Sequence, residues 1–142
     1  MSNLDNARSA YEAFGSGDLA ALQESFAEDA VWVTSDELPL GGEVKVRDAI
    51  IGNFAQIPNY WDSFSVEPEE FIDAGEYVVV RGTQKASNAK GSFEAPFVHL
   101  IKYDDDGKTV RGEFYADSAK AAKLLAYGEC VCTMPKISGR WL

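Results

Sequence analysis

Beyond Pro58 the chain changes texture, and that change restricts what it can fold into. Residues 64–72, 76–86, 91–103 and 108–116 are strand candidates, rich in β-branched and aromatic side chains. Their separators are short: Asp73-Ala74-Gly75, Asn88-Ala89-Lys90-Gly91 and Asp104-Asp105-Asp106-Gly107. Gly, Asn and Asp supply the positive φ that tight connections need, so the last two read as hairpins. Before Pro58 the apolar period is instead helical. A chain of helices followed by an antiparallel meander is an α+β fold with its helices packed on one face of the sheet.

The helical half divides into segments. Leu4, Ala7, Ala10, Tyr11 and Phe14 lie at helical spacing within residues 3–14, and Gly15-Ser16-Gly17 ends that helix. Asp18 can cap a second helix with a stripe of Leu19, Leu22 and Phe26. Residues 30–34 read as a short strand, followed by a loop with Pro39 and Gly41-Gly42. A third helix is predicted over 46–54, and Asp117 begins a final one over 118–127.

The strand over 91–103 is apolar on both faces. Phe97, His99 and Ile101 alternate with Val98, Leu100 and Lys102. A sheet with one wet face alternates cleanly, so two apolar faces imply that both are covered. One can line an inner cavity and the other can pack on a second subunit. A central core strand would read the same way.

Composition bounds the functions. At 142 residues the chain has the length of one domain, with neither repeats nor a Pro/Gly linker. Net charge is −10, a field that repels phosphate backbones and argues against nucleic acid. No apolar run approaches the ~20 residues of a membrane span, and residues 1–5 lack signal-peptide character. A cytoplasmic protein is expected. One His and no H-x-x-E or C-x-x-C pattern leave no metal constellation, and no cofactor fingerprint appears. Cys130 and Cys132 read as reduced thiols in a tail.

Several strings, in order, resemble one family: residues 11–19 (YEAFGSGDL), 26–32 (FAEDAVW), 75–82 (GEYVVVRG), 96–100 (PFVHL) and 107–117. Together they are similar to the SnoaL-like, ketosteroid-isomerase-related branch of the nuclear-transport-factor-2-like superfamily. The resemblance spans about residues 7–123. It implies a cone, a curved mixed or antiparallel sheet wrapped by N-terminal helices around an apolar pocket, and a homodimer through the outer sheet face. It places a cone domain over 1–127 and leaves 128–142 as a C-terminal tail.

The same resemblance locates chemistry. The isomerase needs a carboxylate base and a strong donor to an oxyanion. These fall near Thr34 and Val98, which can supply neither, so steroid isomerisation is not expected. His99 stands where a cyclase-type histidine could lie, with Glu113 and the strand-closing Asp117 as its carboxylates. Each has a plainer reading: His99 facing a dimer partner, Glu113 in solvent, Asp117 as a helix cap. Arg81 resembles an epoxide hydrolase arginine and could pair with Glu113 or Asp117, although Thr83 replaces the expected carboxylate. Tyr11, Trp32, Phe54, Tyr60, Trp61, Phe97 and Tyr115 are candidate pocket aromatics. Two functions stay open: a cofactor-independent isomerase, cyclase, hydrolase or lyase on an apolar carbonyl or polyketide-like compound, and a non-catalytic module binding an apolar small molecule.

Overall fold

The computed structural model describes residues 2–125. The Cys130/Cys132 tail lies outside them. Helix α1 (Asn3–Ser16) starts where the Ser2 hydroxyl accepts from the Asp5 amide, and stops at Gly17, whose φ of 74° is left-handed. Asp18 caps α2 (Leu19–Glu24) by accepting from the Ala21 amide. Phe26, expected on that helix's stripe, instead opens strand β1 (Phe26–Thr34). Strand β2 (Gly42–Lys45) pairs antiparallel with β1, in a stretch that the sequence pattern marks only as loop. Helix α3 (Arg47–Ala55) begins one residue later than expected, because Val46 sits at φ 80° outside the helix.

The meander follows as expected in longer strands: β3 (Ser63–Ala74), β4 (Tyr77–Asn88), β5 (Gly91–Tyr103) and β6 (Thr109–Ala116). Helix α4 starts at Ser118 and is described to Leu125. The strands form one curved, unclosed sheet in the order β2-β1-β6-β5-β4-β3. Among the described residues only β1 and β6 run parallel, so the sheet is mixed. Glu69 is the extra residue of a bulge in β3, between the Pro68–Gly82 and Glu70–Arg81 pairs. Gly82 makes room for it: a Cβ there would stand 2.2 Å from the Glu67 carbonyl oxygen.

Among the described residues, helices cover one face only. Ala95, Phe97, His99, Ile101 and Tyr103 of β5 are buried beneath them, while Val98 is 43% exposed. Tyr11 of α1 lies over β3 and β5, edge-on to Phe71 and stacked on Phe97. Leu22, Phe26, Ala30 and Ile50 make a second core where α2 and α3 meet β1. Trp61, Ala86 and Ala121 make a third at the α4 end. No helix among the described residues is long and apolar enough to cross a membrane.

Candidate functional site

Between the helices and the inner sheet face lies a cavity of about 210 Å³. Each layer contributes to its wall: Tyr11 and Phe14 from α1, Trp32 and Thr34 from β1, Asn53 and Phe54 from α3, Tyr60 and Trp61 after α3, and His99 and Phe114 from the sheet. Residues 35–41 and α4 bound one end, where the Ser118 hydroxyl donates to Glu37 Oε1 at 2.8 Å. Among the described residues, every side chain lining the cavity is uncharged. Its polar groups are hydroxyls, amides and one imidazole.

That imidazole is the site's singular feature. His99 is 5% exposed and faces inward, so it does not point to a dimer partner. Its Nδ1 lies 2.9 Å from the Tyr11 hydroxyl. Its Nε2 is buried without a hydrogen-bond partner. Trp32, Phe114 and Tyr11 surround the ring, with centroids at 4.8, 5.6 and 5.9 Å. Burial among these rings disfavours the cation and pushes the imidazole pKa down to about 3. The ring is neutral at any ordinary pH. Burial likewise raises Tyr11 above the usual phenol range, and lifts Tyr103 to about 12. This pocket therefore carries hydrogen-bonding capacity without charge.

The expected site residues separate into three groups. Tyr11, Trp32, Thr34, Phe54, Tyr60, Trp61 and His99 line the cavity. Phe97 lies just behind it in the core, stacked between Tyr11 and Phe114. Glu113, Tyr115 and Arg81 occupy the opposite face. Strand alternation dictates this: Gly112 and Phe114 point inward, so Glu113 and Tyr115 point out. There the Tyr115 hydroxyl and Arg111 both donate to Glu113, holding its carboxyl below the usual range. Tyr115 itself is 55% exposed. Arg81 pairs with neither Glu113 nor Asp117. The bulge brings Glu69 and Glu70 to it, at 3.3 and 3.0 Å, on an exposed surface. An arginine between two acids does exist here, but away from the cavity. Val98, where the isomerase donor would fall, also faces outward.

Asp117 accepts from the Ala119 amide at 3.1 Å, as a cap of α4 does. Neither it nor Glu113 contacts His99. Accordingly, Asp117→Asn is expected to leave stability within a few tenths of a kcal/mol, and Asp117→Ala to cost about 1 kcal/mol. Ligand binding should be unchanged in both variants. Chemical denaturation and a ligand titration would check this, and a binding loss in both variants, including the stably folded Asp117→Asn, would place the carboxyl in the site after all.

Sequence reasoning missed the cavity's other polar groups: Ser35, Asn53, Gln84, Tyr103, Thr109 and Ser118. A signal existed for two of them. Tyr103 shares period two with His99, and Gln84 shares it with the buried Val78 and Val80.

A SnoaL-like domain model matches residues 7–112. No curated protein matches the chain. Among solved structures, an NTF2-like protein of unknown function from Burkholderia pseudomallei is 31% identical, with TM-score 0.81, covering 89% of this chain and 99% of that one. TerC, crystallised with polyporic acid, is 27% identical with TM-score 0.78, covering 87% and 97%. IdmH from Streptomyces antibioticus, a candidate polyketide cyclase, is 22% identical with TM-score 0.71, covering 88% and 99%, and shares the fold.

Proposed function

Because the chain belongs to the SnoaL-like domain family, we propose that it is a small-molecule pocket protein, holding an apolar ring compound in its cavity. The observation that carries this reading is an uncharged cavity walled by aromatic rings from helices and sheet alike. Burial of a ring against these walls and edge-to-face contact supply the affinity. The crystallisation of a relative with polyporic acid supports a ring compound as occupant.

A cofactor-free enzyme is the second reading. Acid/base chemistry through His99 with Asp117 or Glu113 gains nothing from the geometry, since both carboxyls lie elsewhere. The contact of Tyr11 with Nδ1 favours a different pair, a phenol and a neutral imidazole that could pass a proton. That pair would suit an isomerase, cyclase or lyase acting on an apolar carbonyl.

The homodimer belongs to the same proposal. Val98 and Tyr115, adjacent across β5 and β6, are 43% and 55% exposed on the sheet face that no helix among the described residues covers. Native mass spectrometry of the purified chain tests these readings together. The expected species is a pair of 15.5 kDa chains carrying an organic compound that is released unchanged. A monomer would remove the dimer. Steady conversion of the bound compound would favour the enzyme.

A further inference from the structure

Most of the cavity wall is helix or paired strand, and opens only if backbone hydrogen bonds break. Residues 35–41 are held differently. They form the tip of the β1–β2 hairpin, beyond the Thr34–Gly42 register pair, and Ser35, Leu38, Pro39, Leu40 and Gly41 line the cavity. Among the described residues, the backbone bonds of this tip run within it. The Leu38 amide donates to the Ser35 carbonyl and the Gly41 amide to the Leu38 carbonyl, at 3.3 and 3.0 Å. Gly41 draws the tip tight, since a Cβ there would stand 1.7 Å from the Ser35 carbonyl oxygen. A compact loop bonded to itself swings as one body on its stem, and Gly42, at φ 90°, supplies the joint.

Among the described residues, side chains fasten the tip to the body. Leu38 packs into the core of Trp61, Ala86 and Ala121, so it touches the same cluster as α4. Asn53 donates to the Leu40 carbonyl at 3.4 Å. Glu37 Oε1 accepts from the Ser118 hydroxyl at 2.8 Å, across the end of the cavity that the tip and α4 share. Ser118 opens α4, where the helix's positive end favours a carboxylate. Glu37 is exposed and forms no part of the cavity wall, so its bond breaks at little cost. We propose that residues 35–41 are a lid clasped to α4 by the Glu37–Ser118 bond, and that release of this clasp sets how fast a ligand enters and leaves. This inference rests on the small-molecule reading above and adds its gate. Leu38 is the plug: when the tip swings, it leaves Trp61 and Ala121 and parts the loop from α4.

The test follows 2-naphthol, a neutral two-ring probe, by stopped-flow fluorescence on the full chain. A clasp closed in both the free and the bound protein slows entry and exit alike. Glu37→Ala should therefore raise the association and dissociation rate constants together, by about threefold to fivefold, with Kd within about twofold of the parent. Adding Ser118→Ala should accelerate association no further, because the clasp is already lost. Glu37→Gln keeps an acceptor oxygen without the charge, and its rates should fall between. Relaxation dispersion on the ligand-free chain gives a second readout: exchange at residues 35–41, with a larger open fraction in Glu37→Ala. Unchanged rates in Glu37→Ala, or no exchange at residues 35–41, would overturn the lid. Faster dissociation alone, with weaker binding, would overturn it too, since Glu37 would then support the closed wall rather than gate it. Failure of 2-naphthol to bind the parent chain would count against the pocket reading, and the exchange measurement would still decide the lid.

Discussion

Acidification from about pH 7.5 to about pH 5 should cost the wild-type fold about 2 kcal/mol more than it costs a His99→Gln variant. The sign follows from where the proton goes. The unfolded chain's histidine takes a proton as pH falls through 6.5, whereas the folded one resists until about 3. Between those values the unfolded state binds more protons, so stability falls with pH, by about 1.4 kcal/mol per unit. Gln cannot titrate, and it still offers Tyr11 a hydrogen-bond partner. Carboxylates contribute to acid sensitivity in both proteins and largely cancel in the difference. Denaturant unfolding of the two proteins at both pH values checks this. Equal losses would mean that His99 is not held neutral by burial.

Gly112→Ala should destabilise the fold by about 1–3 kcal/mol and weaken ring-ligand binding about tenfold or more. Gly112 of β6 is the register partner of Trp32, whose indole lies across the space a side chain would take. A Cβ there would stand 2.4 Å from two indole carbons and 3.3 Å from His99 Nε2. The indole has little room to retreat, since Phe26 and Phe54 pack against it at 5.7 and 5.2 Å. Moving it shifts both the aromatic wall and the His99 imidazole packed beside it at 4.8 Å. Gly52 is the matched control. It lies in α3, where an added methyl would meet nothing within 4 Å, so Gly52→Ala should gain up to about 1 kcal/mol of helix propensity and leave binding unchanged. Thermal unfolding of both variants, with titration by 2-naphthol as a neutral two-ring probe, distinguishes a local clash from a general intolerance of alanine.

Much of the fold was legible because its signals are local. The Asp104–Gly107 turn and the long β-rich runs fix a meander without reference to distant residues. Ser2, Asp18 and Gly17 mark helix ends by their own chemistry. Strand β2 was hidden because Gly42–Lys45 is short and half exposed, leaving no apolar pattern to read. The early part of β1 was hidden by Glu28 and Asp29, exposed beside a register shift.

The site was legible only in part. The alternation of Phe97, His99 and Ile101 shows that they share a face, but not that the face is inward. Once the helices cover it, His99 becomes a cavity group and Val98 an outer one. The Tyr11–His99 contact joins residues 88 positions apart and depends on how α1 crosses the sheet. Arg81 failed for a different reason. Its partners Glu69 and Glu70 are set by a bulge, which adds a residue that period-two counting does not foresee. Asp117 and Glu113 lie near His99 in the family pattern, whereas alternation and capping give both of them structural work.

The central claim of this account is an uncharged cavity whose one imidazole is buried and neutral. His99 is the chain's only histidine, so its ring nitrogens can be followed without ambiguity by long-range proton–nitrogen NMR. The ring should stay neutral from about pH 8 down to about pH 4.5, and its signals should shift when 2-naphthol, a neutral two-ring probe, fills the cavity beside it. A ring that protonates near its ordinary 6.5, or ring signals indifferent to every ring compound that binds, would contradict it.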